Sequence, residues 1–341
     1  MEHWEGGLDM RRFPAFVVAI SIFAAQLYAQ APAQKNGSLR ITEPAFQTNG
    51  PYKVVEEMDA SLPSHTVYRP IHLADVKGRL PVLAWGNGGC LNAGNSMQEY
   101  LAEIASYGYL VVANGPIRPD FRPEGGPGRP PQPPNPRKMP AWMHEQTKSS
   151  ELLQTLDWVG AQNSQPKSLY YGKIDTNAMA VGGQSCGGLE ALVAAADRRV
   201  KTAVIMNSGI IRNMDSLPKM PGAQNGRGPA LPMVLPGNVD TLKKLHTPVI
   251  YIIGGKTDIA YNNSEADFRD IHGIPLFDAN LNGVGHGGTI RQPYGGKFAQ
   301  VAVEWLQWQL RGSRKASTNF VGPDCTLCKD PAWTIKRKDM K

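Results

Sequence analysis

The chain has 341 residues, of which 41% are hydrophobic and 19% are charged, a composition typical of a globular protein. Part of its net charge of +7 is concentrated in residues 129–138 and 336–341, and neither cluster has the aromatic or helical pattern of a nucleic-acid surface. We therefore predict a solvated basic surface and no nucleic-acid partner. No break in composition divides the chain, which favours one main domain.

The N-terminus has the pattern of a secretory signal peptide. Arg11 and Arg12 precede an apolar run at residues 13–25, and small residues suited to cleavage follow at Ala29 and Ala31. The apolar run is shorter than a membrane span, and no later segment approaches its length, so we predict no stable membrane insertion. We expect residues 1–31 to be removed and the mature protein to be secreted or periplasmic.

The segments that follow predict strands and a helix among irregular stretches. Residues 32–50 are polar, and we expect them to be loosely ordered. Ten of the 28 prolines crowd residues 116–140, which predicts an irregular loop at the carboxyl edge of a sheet. Between these segments, apolar runs and helical periodicity predict strands at 66–70, 79–85 and 109–113 and a helix at 97–106.

From residue 145 onward, helical and strand patterns alternate. Such alternation is typical of an α/β fold, a mainly parallel twisted sheet with helices on both faces. We expect this domain to span residues 51–315, with a second long loop at 208–237. The predicted helices are 145–162, 186–196 and 298–310, and the predicted strands are 177–183, 200–206, 248–254 and 276–281.

Residues 316–341 are predicted to form a C-terminal tail that contains Cys325 and Cys328. A zinc site needs a second pair of ligands nearby, and the sequence has none, so we predict no metal. Cysteines of exported proteins are usually paired. We therefore expect a local disulfide between Cys325 and Cys328.

The pentapeptide GQSCG at residues 183–187 lies between a predicted strand and a predicted helix. A serine on such a sharp strand-to-helix turn is exposed at the edge of the sheet, and the turn requires small residues on both sides. Gly183 and Gly187 meet that requirement. We predict that Ser185 is a catalytic nucleophile.

A serine nucleophile needs a base and an orienting carboxylate, which follow it in the chain order Ser, acid, His. His286, in the glycine-rich segment 282–288, comes directly after the last predicted strand, and Asp258 follows the strand at 248–254. We predict these two residues as base and acid. His246 precedes a strand and is expected to lie at the wrong edge of the sheet, whereas His272, before the last strand, is expected to be a surface or helix-end residue.

Stabilising the oxyanion of a tetrahedral intermediate requires two backbone N–H donors. The sequence predicts the amide of Cys186 as one donor and that of Asn87 as the other, with Gly88 as the alternative to Asn87. Cys90 and Cys186 both lie beside this site. They are either disulfide-bonded or two free, packed cysteines, because geometry alone decides between these states.

These motifs resemble those of bacterial cutinases and polyester hydrolases of the α/β-hydrolase superfamily. The similarity covers roughly residues 80–310 and lies in the segments YGKIDT…MAVGGQS before Ser185, IIG…TDIA around Asp258, and NG…H before the helix bearing Trp305. The resemblance implies cofactor-free hydrolysis of carboxylic esters. The chain departs from that family at Asn87, Gln184 and Cys186, where aromatic residues, or methionine in the last case, are usual.

The sequence thus predicts a secreted serine carboxylic-ester hydrolase without cofactor or metal, acting on a small-molecule or polymeric ester. A peptidase or an acyltransferase using the same residues is the alternative within enzymes. A non-catalytic binding protein on this scaffold is the alternative outside them. The particular ester, the acceptance of polyesters and the oligomeric state are not predicted.

Overall fold

The computed structural model describes residues 40–41, 46–118, 141–213 and 235–340. All of these belong to one unit of the chain, Ser38–Lys341. Four predictions lie wholly or mostly outside the described residues: the signal peptide at 1–31, the loosely ordered stretch at 32–50, and the loops at 116–140 and 208–237.

One sheet runs through the described residues, with ten strands in the order β1-β2-β3-β5-β4-β6-β7-β8-β9-β10. The central strands, from β5 to β9 in this order, pair in parallel, and the outer pairings on both sides are antiparallel. The strands are β1 (Arg40–Ile41), β2 (Val54–Glu57), β3 (His65–Pro70), β4 (Leu80–Gly86), β5 (Leu110–Asn114), β6 (Ile174–Gln184), β7 (Val200–Met206), β8 (Val249–Ile253), β9 (Leu276–Leu281) and β10 (Trp333–Lys338).

Helices cover both faces of the sheet. Successive strand residues point to opposite faces and therefore pack against different helices. Val82 and Ala84 of β4 join one apolar cluster with α2 and α3, whereas Leu83 and Trp85 join a second cluster with α1 and α6. The predicted α/β fold is therefore confirmed. The helices are α1 (Gln98–Ser106), α2 (Ser149–Ser164), α3 (Cys186–Ala194), α4 (Val239–Leu242), α5 (Tyr261–Asp270), α6 (Gly296–Arg311), α7 (Arg314–Ser317) and α8 (Thr326–Lys329).

One predicted boundary near a loop is wrong. The helix predicted from residue 145 begins at Ser149, because Gln146 forms an isolated bridge with Leu91 and Lys148 has extended backbone angles. The segment 32–50, expected to be loosely ordered, contributes Arg40–Ile41 as strand β1, paired with β2. Local polarity alone does not reveal such pairing, since edge strands need only one hydrogen-bonded neighbour.

The sequence suggested that the C-terminal segment is a tail outside the domain, and this prediction is wrong. Strand β10 pairs along its whole length with β9, and the disulfide between Cys325 and Cys328 precedes it, as predicted. The basic cluster here is only partly solvated, since Lys336 forms ion pairs with Glu265 and with the buried Asp278. This segment therefore completes one edge of the sheet.

Phe320 tests whether this segment is part of the folded core. Its ring is fully buried and lies 5.1 to 5.7 Å from the rings of Phe277, Trp305 and Trp308. We expect Phe320→Ala to lower the free energy of unfolding by about 3–5 kcal/mol in chemical denaturation. The half-exposed Tyr171, changed to alanine, is the control and should cost about 0.5 kcal/mol or less. Equal stabilities of the two variants would contradict this assignment.

Candidate active site

Ser185 occupies a strained turn between β6 and α3. Its backbone angles are φ 55° and ψ −119°, a conformation that L residues rarely adopt and that surrounding contacts must hold in place. The amide of Ser185 donates a hydrogen bond to the carbonyl of Met206 in β7, at 2.9 Å. The turn predicted from the pentapeptide is therefore present, and the side chain of Ser185 is partly exposed.

The glycines around Ser185 are required by close backbone contacts. A Cβ atom on Gly183 would lie 2.1 Å from the carbonyl oxygen of Gly187, and one on Gly187 would lie 2.1 Å from the carbonyl group of Gly86. A Cβ on Gly188 would lie 2.4 Å from Ser208. Helix α3 thus approaches the ends of β4 and β6 more closely than any larger residue allows.

The structure brings the three predicted catalytic side chains together. Nε2 of His286 lies 2.9 Å from Oγ of Ser185, and Nδ1 of His286 lies 2.7 Å from Oδ1 of Asp258. The backbone of the loop at His286 is held in place, because the carbonyl of His286 accepts a hydrogen bond from Nε2 of Gln184 at 3.1 Å. His246 and His272, the alternatives, are exposed elsewhere.

Asp258 is an ionised carboxylate inside the protein. It accepts hydrogen bonds from His286 at 2.7 Å, from Asn207 at 2.6 Å, and from the amides of Gly254 and Ala260 at 3.0 and 2.9 Å. Burial acts to raise its pKa, but these four donors outweigh burial and the pKa is lowered from its ordinary value. Asp258 therefore remains negative at neutral pH and fixes the orientation of the imidazole.

Asn207 is a site residue that the sequence did not predict. It follows β7 with φ 44°, a left-handed conformation that asparagine tolerates better than most residues. Its Nδ2 donates to Oδ2 of Asp258, the carboxylate oxygen that His286 does not contact. An asparagine directly after a buried strand is the signal that could have identified it.

The predicted oxyanion loop follows β4 and lies beside Ser185. Cys186 is the first residue of α3, and the first amides of a helix have no acceptor within it. Asn87 is fully buried, and its side-chain amide donates to the carbonyls of Asn114 and Leu91 at 2.6 and 3.0 Å. Gly89, in the same loop after β4, lines the pocket beside Ser185. The roles of Asn87 and Gly88 stay predictions, and the structure adds Gly89 as a third candidate donor.

A disulfide connects the oxyanion loop to the turn that carries Ser185. Cys90 and Cys186 are bonded, with their Cα atoms 5.2 Å apart, and both are buried. Of the two states that the sequence left open, the structure therefore contains the bonded one. The bond joins the two segments that are predicted to supply oxyanion donors, although they are 96 residues apart in the chain.

A pocket of about 340 Å³ opens in front of Ser185 and His286. Its wall combines polar groups with aliphatic side chains, and no Phe, Tyr or Trp among the described residues lines it. Such a pocket accepts an apolar group next to a polar reacting centre. The aliphatic residues of the wall are Leu189, Ile211, Leu235 and Ile259.

The described part of the chain contains no group of three or more His, Cys, Asp or Glu side chains that could hold a metal ion. None of its helices is long and apolar enough to cross a membrane.

The close approach at Gly187 can be tested by adding one methyl group. We expect Gly187→Ala to lower the free energy of unfolding by about 2–3 kcal/mol, because the backbone of Gly86 cannot move away without shifting β4. Gly160 of α2 has no atom within 4 Å of an added Cβ, so Gly160→Ala should raise stability by about 0.5–1 kcal/mol. Chemical denaturation measures both, and a Gly187→Ala variant as stable as wild type would disprove the contact.

Comparisons with known proteins do not assign this chain to a family. No family model matches it, and no curated protein matches it either. The resemblance to bacterial cutinases and polyester hydrolases therefore stays a prediction that depends on the motifs around Ser185, Asp258 and His286.

Proposed function

We propose that this protein is an exported serine hydrolase that cleaves carboxylic esters through an acyl-enzyme intermediate. The observation that carries the proposal is the hydrogen-bonded chain from Asp258 through His286 to Ser185, with distances of 2.7 and 2.9 Å. Such a chain activates a hydroxyl group that is otherwise a weak nucleophile at neutral pH. The strained turn at Ser185 and the adjacent pocket support the same function.

The proposal gives each group a role in the reaction. Oγ of Ser185 attacks the ester carbonyl carbon while Nε2 of His286 takes its proton, and Asp258 stabilises the resulting imidazolium. Amides of Cys186 and of residues 87–89 stabilise the oxyanion. His286 then returns the proton to the leaving alkoxide, which departs as an alcohol. Water, deprotonated by His286, attacks the carbonyl carbon of the acyl-enzyme, and His286 returns this proton to Oγ of Ser185 as the bond to the acyl group breaks and the carboxylic acid is released.

The pocket and the disulfides support further parts of the proposal. The aliphatic wall formed by Leu189, Ile211, Leu235 and Ile259 is suited to an apolar part of the ester. Disulfides persist in oxidising compartments, so the bonds at Cys90–Cys186 and Cys325–Cys328 agree with the predicted export. The proposed resemblance to bacterial cutinases and polyester hydrolases is supported by the motifs around Ser185, Asp258 and His286.

Covalent labelling tests the role of Ser185. We expect a fluorophosphonate probe to label the native protein at Ser185, and Ser185→Ala to lower kcat/KM for p-nitrophenyl acetate by about 10⁴- to 10⁶-fold. Ser164→Ala, at the exposed end of α2, is the control and should keep full labelling. Unlabelled native protein that hydrolyses neither esters nor peptides would favour a binding protein. Faster cleavage of peptides than of p-nitrophenyl esters would favour a peptidase.

The disulfide between Cys90 and Cys186 can be tested separately from Ser185, His286 and Asp258. In the Cys90→Ser/Cys186→Ser double variant we expect kcat to fall by about 10- to 100-fold, with KM changed by less than about threefold, because oxyanion donors act mainly in the transition state. The Cys325→Ser/Cys328→Ser double variant is the matched control and should keep its kcat. Circular dichroism at the assay temperature checks that both are folded. An unchanged kcat in the first variant would show that the bond does not position the donors.

A further inference from the structure

Glu190 is a fully buried carboxyl group directly behind the proposed oxyanion hole. It lies on α3, one helical turn after Cys186, where no step of the proposed reaction uses it. A Cβ atom added to Gly86 would lie 2.7 Å from Oε2 of Glu190. The carboxyl group therefore lies against the backbone that leads from β4 into the oxyanion loop.

Both ends of the oxyanion loop are connected to Glu190 through one intermediate residue. At one end, Oγ1 of Thr147 donates to Oε1 of Glu190 at 2.9 Å, and the amide of Thr147 donates to the carbonyl of Cys90 at 2.9 Å. At the other end, Nδ2 of Asn114 donates to Oε2 of Glu190 at 3.3 Å. The carbonyl of Asn114 accepts a hydrogen bond from the side chain of Asn87 at 2.6 Å.

These contacts form a closed ring around the loop. From Cys186 the ring passes through the disulfide to Cys90, then to Thr147, then to Glu190, and one turn of α3 returns it to Cys186. Glu190 is the member of this ring that can gain or lose a charge. Its charge state therefore acts on both segments that are predicted to supply oxyanion donors.

The surroundings of Glu190 favour its uncharged form. Burial raises the pKa of Glu190 to about 8, and the negative charge of Glu151 on α2 adds to this effect, whereas hydrogen bonds from Thr147 and Asn114 oppose it. Among the described residues, other charged or titratable groups near this cluster include Lys148, at the start of α2, and His65 of β3, which contacts the carbonyl of Glu151. Burial lowers the pKa of His65 to about 4, so this imidazole is neutral at pH 7 and provides no cation for Glu190.

We propose that Glu190 is a positioning residue for the oxyanion hole, which holds the loop in place as an uncharged acid and disables the site when it ionises. This role depends on the proposed hydrolase function. A carboxylate one turn from the amide of Cys186 repels the negative charge that develops on the substrate oxygen. It also sets an alkaline limit to activity that does not come from Ser185, His286 or Asp258.

The pH dependence of kcat distinguishes this role from a purely structural one. For wild type with p-nitrophenyl acetate we expect kcat to fall above about pH 8. Glu190→Gln keeps the shape and a hydrogen-bonding group without the charge, so its kcat at pH 7 should stay within about threefold of wild type and should not fall up to pH 9.5. Glu151→Gln removes a like charge that raises the pKa of Glu190. In this variant the fall of kcat at alkaline pH should therefore begin at a lower pH.

A titration of the protein provides a test that needs no catalysis. In ¹⁵N-labelled protein, the amide signals of Cys186 and Asn87 should shift with a midpoint near pH 8, and Glu190→Gln should lose this shift. Amide signals that do not titrate above neutral pH would overturn the proposal. So would a fall of kcat at alkaline pH that is identical in wild type and Glu190→Gln. Titrating amides in a protein without hydrolase activity would support the coupling of Glu190 to these two segments and reject the proposed function instead.

Discussion

The architecture of the site depends on the backbone contact between α3 and the ends of β4 and β6. Gly86, Gly183 and Gly187 allow this contact, since an added Cβ at each would lie 2.1 to 2.7 Å from another atom. The contact forces Ser185 into its strained conformation and aligns the start of α3 with the loop after β4. Ser185, the loop after β4 and the disulfide therefore have their relative positions set by one packing constraint.

Around this contact the protein holds two buried carboxyl groups in opposite states. Asp258 has a lowered pKa because the four hydrogen bonds that it accepts outweigh its burial. Glu190 has a pKa raised to about 8 because it is buried and lies near the charge of Glu151, and among the described residues it accepts hydrogen bonds from two neutral groups. The charges that the proposed reaction develops, positive on His286 and negative on the substrate oxygen, match this arrangement. Different environments thus give the same functional group two electrostatic roles.

Much of this site could be predicted from local sequence, and the rest could not. The central parallel strands are buried on both faces, so their sequences are apolar runs. The pentapeptide GQSCG is recognisable because the turn at Ser185 requires small residues on both sides. Asn207, Glu190 and β10 depend on distant contacts instead. Asn207 contacts Asp258, 51 residues away, and Glu190 contacts Thr147, 43 residues away. Strand β10 carries lysines whose partners lie on α5, so its sequence alone resembles a solvated tail.

The central claim is that Ser185 forms a covalent acyl intermediate with an ester. Mixing the protein with p-nitrophenyl acetate, quenching in acid within milliseconds to seconds and digesting it allows the acyl group to be located by mass spectrometry. We predict one acetyl group, on the peptide that contains Ser185, with an amount that rises and then falls as the ester is consumed. A protein that releases p-nitrophenol but never carries an acetyl group on Ser185 would contradict the account.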